Sequence, residues 1–261
     1  MPIQAIGISV NYQIDGREGA PWLILSNSLA TNLTMWNAQA RDLSGSFRVL
    51  RYDQRGHGKS EAPAGRYSFD TLIADALALM DALKVERANF CGLSMGGATA
   101  LGLAQRHPDR IERAIVCDSG CASTPRSALP IAARIAAAQQ GGMEPLVEPT
   151  VARWFPPDIV AKNPPYLDTV RAMIRTTPVN GFIGCAAALA DHDFRSAVAT
   201  TQPSVLFLAG EKDAGGAVPT AMKSLQQALP GSRYVELAGA GPISNLDDPA
   251  GFNRALRDFL R

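Results

Sequence analysis

Gly92-Leu93-Ser94-Met95-Gly96 follows the apolar run Ala88–Cys91 and precedes a helical stretch from Gly97 to Arg106. A G-x-S-x-G pattern between a strand and a helix suits a nucleophilic serine, which needs a sharp turn that lifts its hydroxyl clear of the sheet. Glycines two residues to either side remove the Cβ atoms that would clash there. The following helix points the positive end of its dipole at developing negative charge. Ser94 is therefore the candidate catalytic nucleophile. Acyl transfer by a serine also needs oxyanion donors, an orienting carboxylate and a base. Leu25-Ser26-Asn27-Ser28-Leu29 leaves a buried run for a polar loop, so the backbone amides of Leu29 and Met95 are the candidate oxyanion donors. Asp213, in Gly210-Glu211-Lys212-Asp213 after the run Val205–Ala209, is the candidate orienting acid. Asp118, closing the run Ile111–Cys117, is the alternative.

The base is harder to place. In this chain order of serine, acid and histidine, the histidine comes last, yet none of the three histidines follows His192. His57 lies ahead of the serine in the glycine-rich turn Asp53-Gln54-Arg55-Gly56-His57-Gly58-Lys59-Ser60, where hydrogen bonds fixing the turn are its expected role. His107 follows the helix after Ser94 and is expected at the far end from the site. His192, flanked by Asp191 and Asp193, is the candidate substitute base, with a surface role as the alternative. Carboxylates on both sides would raise its pKa and favour the imidazolium.

These residues need a scaffold, and the pattern of the chain supplies one. Short apolar runs (Trp22–Leu25, Phe47–Tyr52, Ala88–Cys91, Ile111–Cys117, Val205–Ala209, Ser232–Leu237) alternate with amphipathic stretches at Phe69–Leu83, Gly97–Arg106, Pro219–Ala228 and Pro249–Leu260. Continuous apolar runs suit strands covered on both faces, and the helices supply the crossovers of a parallel sheet. The fold class expected is a doubly wound α/β domain. The opening alternation of Ile6, Ile8, Val10, Tyr12 and Ile14 predicts an antiparallel edge hairpin. From about Ser123 to Thr201 the alternation stops, and helices broken at PLVEP, WFPPD and KNPPY take over. Residues 1–122 and 202–261 are therefore expected to form the core, with 123–201 a helical cap. Ligands of open α/β sheets bind beyond the carboxyl ends of the strands, where such an insertion would act as a lid.

Composition narrows the function classes. With 25 basic and 24 acidic residues in 261, the net charge of +1 argues against a nucleic-acid partner. No run approaches the roughly 20 apolar residues of a membrane span, and the N-terminus carries no basic-then-apolar signal. A cytoplasmic protein acting on a small molecule is the expectation. The four cysteines show no metal-site spacing and are expected to be reduced core residues.

Taken together, LSNSLATNLTMWNAQ, FRVLRYDQRGHGKSEAP, LMDAL, ANFCGLSMGG, RWF and the late ISN resemble the α/β-hydrolases along the whole chain, and more narrowly the 3-oxoadipate enol-lactonases. The resemblance implies cofactor-free opening of an enol-lactone by acyl transfer to serine and then to water. It also implies a carboxylate on the substrate, for which Arg134 and Arg153 are the basic candidates, with a structural surface role as the alternative for each, and substrate contact by Trp154 of RWF. The family pattern has its catalytic histidine immediately before Ile-Ser-Asn. Here the segment is Gly241-Pro242-Ile243-Ser244-Asn245, with Pro242 at the histidine position. Proline accepts no proton, so ordinary hydrolysis is expected to be impaired or rerouted. A non-hydrolytic lyase, isomerase or cyclase step, or a catalytically silent ligand-binding role, stands as the alternative.

Overall fold

The unbroken apolar runs form a mostly parallel sheet in a computed structural model that describes residues 2–5, 7–214 and 218–261. Its strands are β3 (Tyr12–Asp15), β4 (Trp22–Ser26), β5 (Arg48–Tyr52), β6 (Ala88–Leu93), β7 (Ile111–Cys117), β8 (Ser204–Gly210) and β9 (Arg233–Leu237), in the order β3-β5-β4-β6-β7-β8-β9. Only β3 runs antiparallel to its neighbour, pairing Tyr12 with Tyr52 and Asp15 with Val49. All six residues of β6, the middle strand, are buried. The predicted edge hairpin needs correction. β1 (Ile3–Ala5) and β2 (Ile8–Val10) pair with each other in a separate two-stranded sheet, and only β3 joins the main one. The alternating pattern set the extended conformation but not the partner, and β1 packs against a helix instead. Ile6 lies outside the described residues.

In chain order the first helices are α1 (Asn37–Leu43), α2 (Phe69–Ala82) and α3 (Met95–Arg106). The Ser68 side chain caps α2 by accepting from the Thr71 N–H, which satisfies one of the donors that a helix start leaves free. Between β7 and β8 come α4 (Pro125–Gly141), α5 (Val147–Trp154), α6 (Pro157–Lys162), α7 (Tyr166–Thr176) and α8 (Val179–Asp191). The proline pairs act as read. Pro156-Pro157 separates α5 from α6, and Asn163 in a left-handed conformation with Pro164-Pro165 separates α6 from α7. The two ends of this insert are stitched by an antiparallel bridge between Ala122 and Asp193. Ser123 N–H donates to the His192 carbonyl at 2.8 Å and Phe194 N–H to that of Cys121 at 2.7 Å. The chain ends with α9 (Pro219–Ala228), α10 (Ser244–Asp247) and α11 (Pro249–Leu260), the last capped by Asp248.

All four cysteines are free thiols. Cys91 and Cys117 lie buried on adjacent strands with sulfurs 3.9 Å apart, and Cys121, at the neck of the insert, is only partly buried. Among the described residues, no helix is long and apolar enough to cross a membrane.

Candidate active site

Ser94 sits between the last residue of β6 and the first of α3, with φ 54° and ψ −111°. A non-glycine residue at positive φ is strained, and tight packing holds it here. Its N–H donates to the Cys117 carbonyl at 2.8 Å. The flanking glycines are required by close approach: a Cβ on Gly92 would lie 1.9 Å from the Gly96 carbonyl oxygen, and one on Gly96 would lie 2.1 Å from that of Ser26.

The loop after β4 is braced by its own polar groups. Asn27 Nδ2 donates to the Thr31 carbonyl at 2.9 Å, and Thr31 Oγ1 donates to that of Ser28 at 2.8 Å. Gln54 Nε2 donates to the Asn27 carbonyl. Ala30, at φ 63°, donates its N–H to His57 Nε2 at 2.9 Å. The proton of His57 is then on Nδ1, which donates to the Arg55 carbonyl at 3.1 Å. Burial pushes the His57 pKa down to about 4. His57 therefore binds the turn after β5 to the loop carrying Leu29, as a neutral and fully buried ring.

One cavity of about 490 Å³ opens beyond the carboxyl ends of the strands, and Ser94, Leu29, Asp118, Asp213 and Pro242 all line it. Met95 is adjacent, its side chain in the core, and its N–H lies in the first turn of α3, where no intrahelical acceptor exists. Asp213 is buried one turn past the end of β8, and its N–H donates to the Gly210 carbonyl at 3.0 Å. Asp118 is also buried, at φ 45°. Its Oδ1 accepts the Gly210 N–H at 2.7 Å and its Oδ2 accepts the Ser244 hydroxyl. Burial raises the Asp118 pKa to about 7, with the Ser244 and Gly210 bonds opposing and the Asp213 charge adding to the rise.

The insert supplies the other wall. Arg134 from α4 and Arg153 and Trp154 from α5 line the cavity, with Ile131, Phe182, Leu189 and His192. Trp154 is buried, Arg134 half-buried and Arg153 exposed. Surrounding protein lowers the Arg134 pKa to about 9, and the nearby Arg153 adds to this. Surrounding protein likewise lowers that of Arg153, against the pull of Asp213. Both remain cations at neutral pH, and their charges face one space.

His192 departs from its sequence reading. Its pKa is lowered, not raised, because burial outweighs Asp193, whose carboxylate instead pairs with Arg195. Nδ1 lies 2.9 Å from the Leu189 carbonyl, and Nε2 is buried with no partner among the described residues. The ring packs between Phe69 and Phe194, with centroids 5.1 and 6.0 Å away. It lines the cavity with Nδ1 held by the Leu189 carbonyl and Nε2 unpaired among the described residues. His107 ends α3 on the side away from Ser94, its N–H donating to the Leu103 carbonyl. The contributions of Phe182 and Leu189 have no local signal, since α8 is apolar on most faces, whereas Ser244 falls in the late Ile-Ser-Asn segment and opens α10.

A strained serine between a central strand and a helix, on a mostly parallel sheet with a helical insert, agrees with the family comparison: the chain belongs to the α/β hydrolase fold family, whose profile matches residues 21–249. More narrowly, it is similar to 3-oxoadipate enol-lactonase 2 of Acinetobacter baylyi, with 32% identity over 259 residues covering 99% of this chain and 96% of that protein. It superposes on the enol-lactonase of Burkholderia xenovorans with a TM-score of 0.95 and 41% identity, covering 100% and 99% of the two chains. A Pseudomonas syringae protein provisionally described as the carbamate hydrolase RutD is 30% identical over 246 residues, covering 92% of this chain and 94% of that one.

Proposed function

We propose that the cavity takes a small carboxylate-bearing ester or lactone and presents its carbonyl to Ser94. The observation that carries this reading is the convergence of Ser94, Leu29, Asp213 and two arginines on one space of about 490 Å³. Ser94 Oγ adds to the carbonyl carbon, and the resulting oxyanion is held by the Leu29 and Met95 N–H groups. Collapse breaks the ester C–O bond and leaves an acyl-serine, which water hydrolyses to acid and free Ser94. An enol-lactone suits a site short of proton-transfer groups, because its leaving oxygen departs as a stabilised enolate.

Both steps release the proton of the attacking hydroxyl, which solvent takes up in place of an imidazole and returns to the departing enolate. Pro242 lines the cavity where the family pattern has its base, so turnover is slow and the missing imidazole sets the rate. The test is hydrolysis of p-nitrophenyl esters and a carboxylate-bearing enol-lactone by the parent chain, Ser94→Ala and Pro242→His. Pro242→His is expected to raise kcat/KM by at least about 100-fold, given what the base contributes to such triads, and Ser94→Ala to abolish that gain. Activity indifferent to Ser94→Ala would overturn the nucleophile assignment. Saturable binding of the lactone with no turnover in any variant would favour the silent binding role, for which Pro242 is the specific observation.

Arg134 and Arg153 are assigned to the substrate carboxylate. A charge-assisted hydrogen bond contributes about 1.5–3 kcal/mol. Arg134→Ala, measured in the Pro242→His background, should therefore raise KM about 10- to 100-fold for a carboxylate-bearing substrate and leave a neutral ester of similar size nearly unchanged. Equal effects on both substrates would remove the assignment.

A further inference from the structure

We propose that Asp118 is a positioning residue that sets the spacing between the acid-bearing turn after β8 and the loop carrying position 242. The inference rests on reading Ser94, Asp213 and position 242 as one hydrolase site. Asp118 itself touches no reacting atom in that reading; it acts through the two segments it joins.

The geometry is specific. Asp118 follows β7, and its own N–H donates to the Leu208 carbonyl of β8 at 2.9 Å. One carboxylate oxygen takes the N–H of Gly210, three residues before Asp213. The other takes the hydroxyl of Ser244, two residues after Pro242. A single buried side chain thus spans from the acid turn to the base-position loop. The two segments are otherwise pressed together backbone to backbone. Lys212 N–H donates to the Ala240 carbonyl at 2.8 Å, and a Cβ on Gly210 would lie 2.2 Å from the Gly241 carbonyl oxygen. Gly241 is tied in turn by its N–H to Asp247 at 2.8 Å. Asp118 holds this place at a cost, a left-handed backbone and a buried carboxyl. The scaffold around position 242 is therefore complete in a chain whose residue 242 is a proline.

The test uses the imidazole introduced by Pro242→His, read in two ways at pH 8. Adding Asp118→Ala, which removes both acceptors, should lower kcat about 10- to 100-fold with KM within about twofold, as expected when a catalytic group is displaced by roughly 1 Å. Ser244→Ala removes the hydroxyl from that link while leaving the Asp118 side chain itself unchanged, and it should give a fall in the same direction. The double change should cost no more than Asp118→Ala alone. Independently of turnover, NMR titration of the introduced imidazole should show a pKa raised by Asp213, and Ser244→Ala should bring it back toward the ordinary histidine value. Unchanged kcat and an unchanged imidazole titration in Ser244→Ala would overturn the proposal. If Pro242→His yields no turnover, the hydrolase reading fails, and the titration alone decides whether Asp118 sets the spacing. If Asp118→Ala does not fold, Ser244→Ala carries both measurements.

Discussion

His57 and His192 are both buried imidazoles with lowered pKa values, and the difference between them lies in what their nitrogens hold. His57 uses both nitrogens, accepting from Ala30 and donating to Arg55, so it controls the peptide beside the proposed oxyanion donor Leu29. His192 uses one and packs its ring between aromatics. Replacing His57 by phenylalanine keeps the ring volume but strands the Ala30 N–H. An unsatisfied buried donor costs about 1–3 kcal/mol, and His57→Phe is expected to lose that much in urea denaturation. In the Pro242→His background it should also lower kcat, because the Leu29 amide is no longer held. A stability within about 0.5 kcal/mol of the parent would show that this bond does not brace the loop.

Among the elements, α8 joins the insert to the core. It crosses the turn after β5 so closely that a Cβ on Gly181 would lie 1.9 Å from the Gly56 carbonyl oxygen. Gly184 accepts the Tyr67 N–H at 3.1 Å, and Cys185 donates to the Arg55 carbonyl at 3.5 Å. Beneath them Arg55 and Asp75 form a buried ion pair at 2.6 Å. Because the clash is with backbone, it cannot be relieved by rotating a side chain. Gly181→Ala should therefore destabilise the chain by at least about 1–3 kcal/mol, the usual cost of overpacking. It should also speed proteolytic cleavage between residues 123 and 201 ahead of cleavage elsewhere. Cleavage spread evenly over the chain would mean that α8 does not dock the insert.

At the scale of the whole molecule, two buried groups set opposing proton balances. Folded His57 titrates near pH 4 instead of 6.5, so the folded state binds fewer protons between those values and loses stability as pH falls through them. The shift corresponds to about 3 kcal/mol as an upper figure, at 1.36 kcal/mol per pKa unit. Folded Asp118 titrates near 7 instead of 3.8, so the folded state holds an extra proton in that window and loses stability as pH rises through it. The two trends offset each other between pH 4 and 7. Asp118→Asn removes one of them, so its unfolding free energy should fall more steeply than the parent's on acidification from pH 7 to pH 4. Parallel curves in chemical denaturation would contradict the raised Asp118 pKa.

The sequence by itself determined the strands, the serine turn and the helical insert, because each depends on local order. Ala88–Leu93 is an unbroken buried run, glycines flank Ser94 at fixed spacing, and proline pairs end α5 and α6. It also determined that position 242 cannot move a proton, since that follows from residue type alone. Only the tertiary structure decided the partner of β1, the convergence of Arg134 and Arg153 on one cavity, and the burial that overrode the acidic neighbours of His192. It alone joined Asp118 to Ser244, residues 126 positions apart. Those outcomes depend on which surfaces exclude water from a group and on which distant segments meet across the sheet, neither of which is encoded in the spacing of nearby residues.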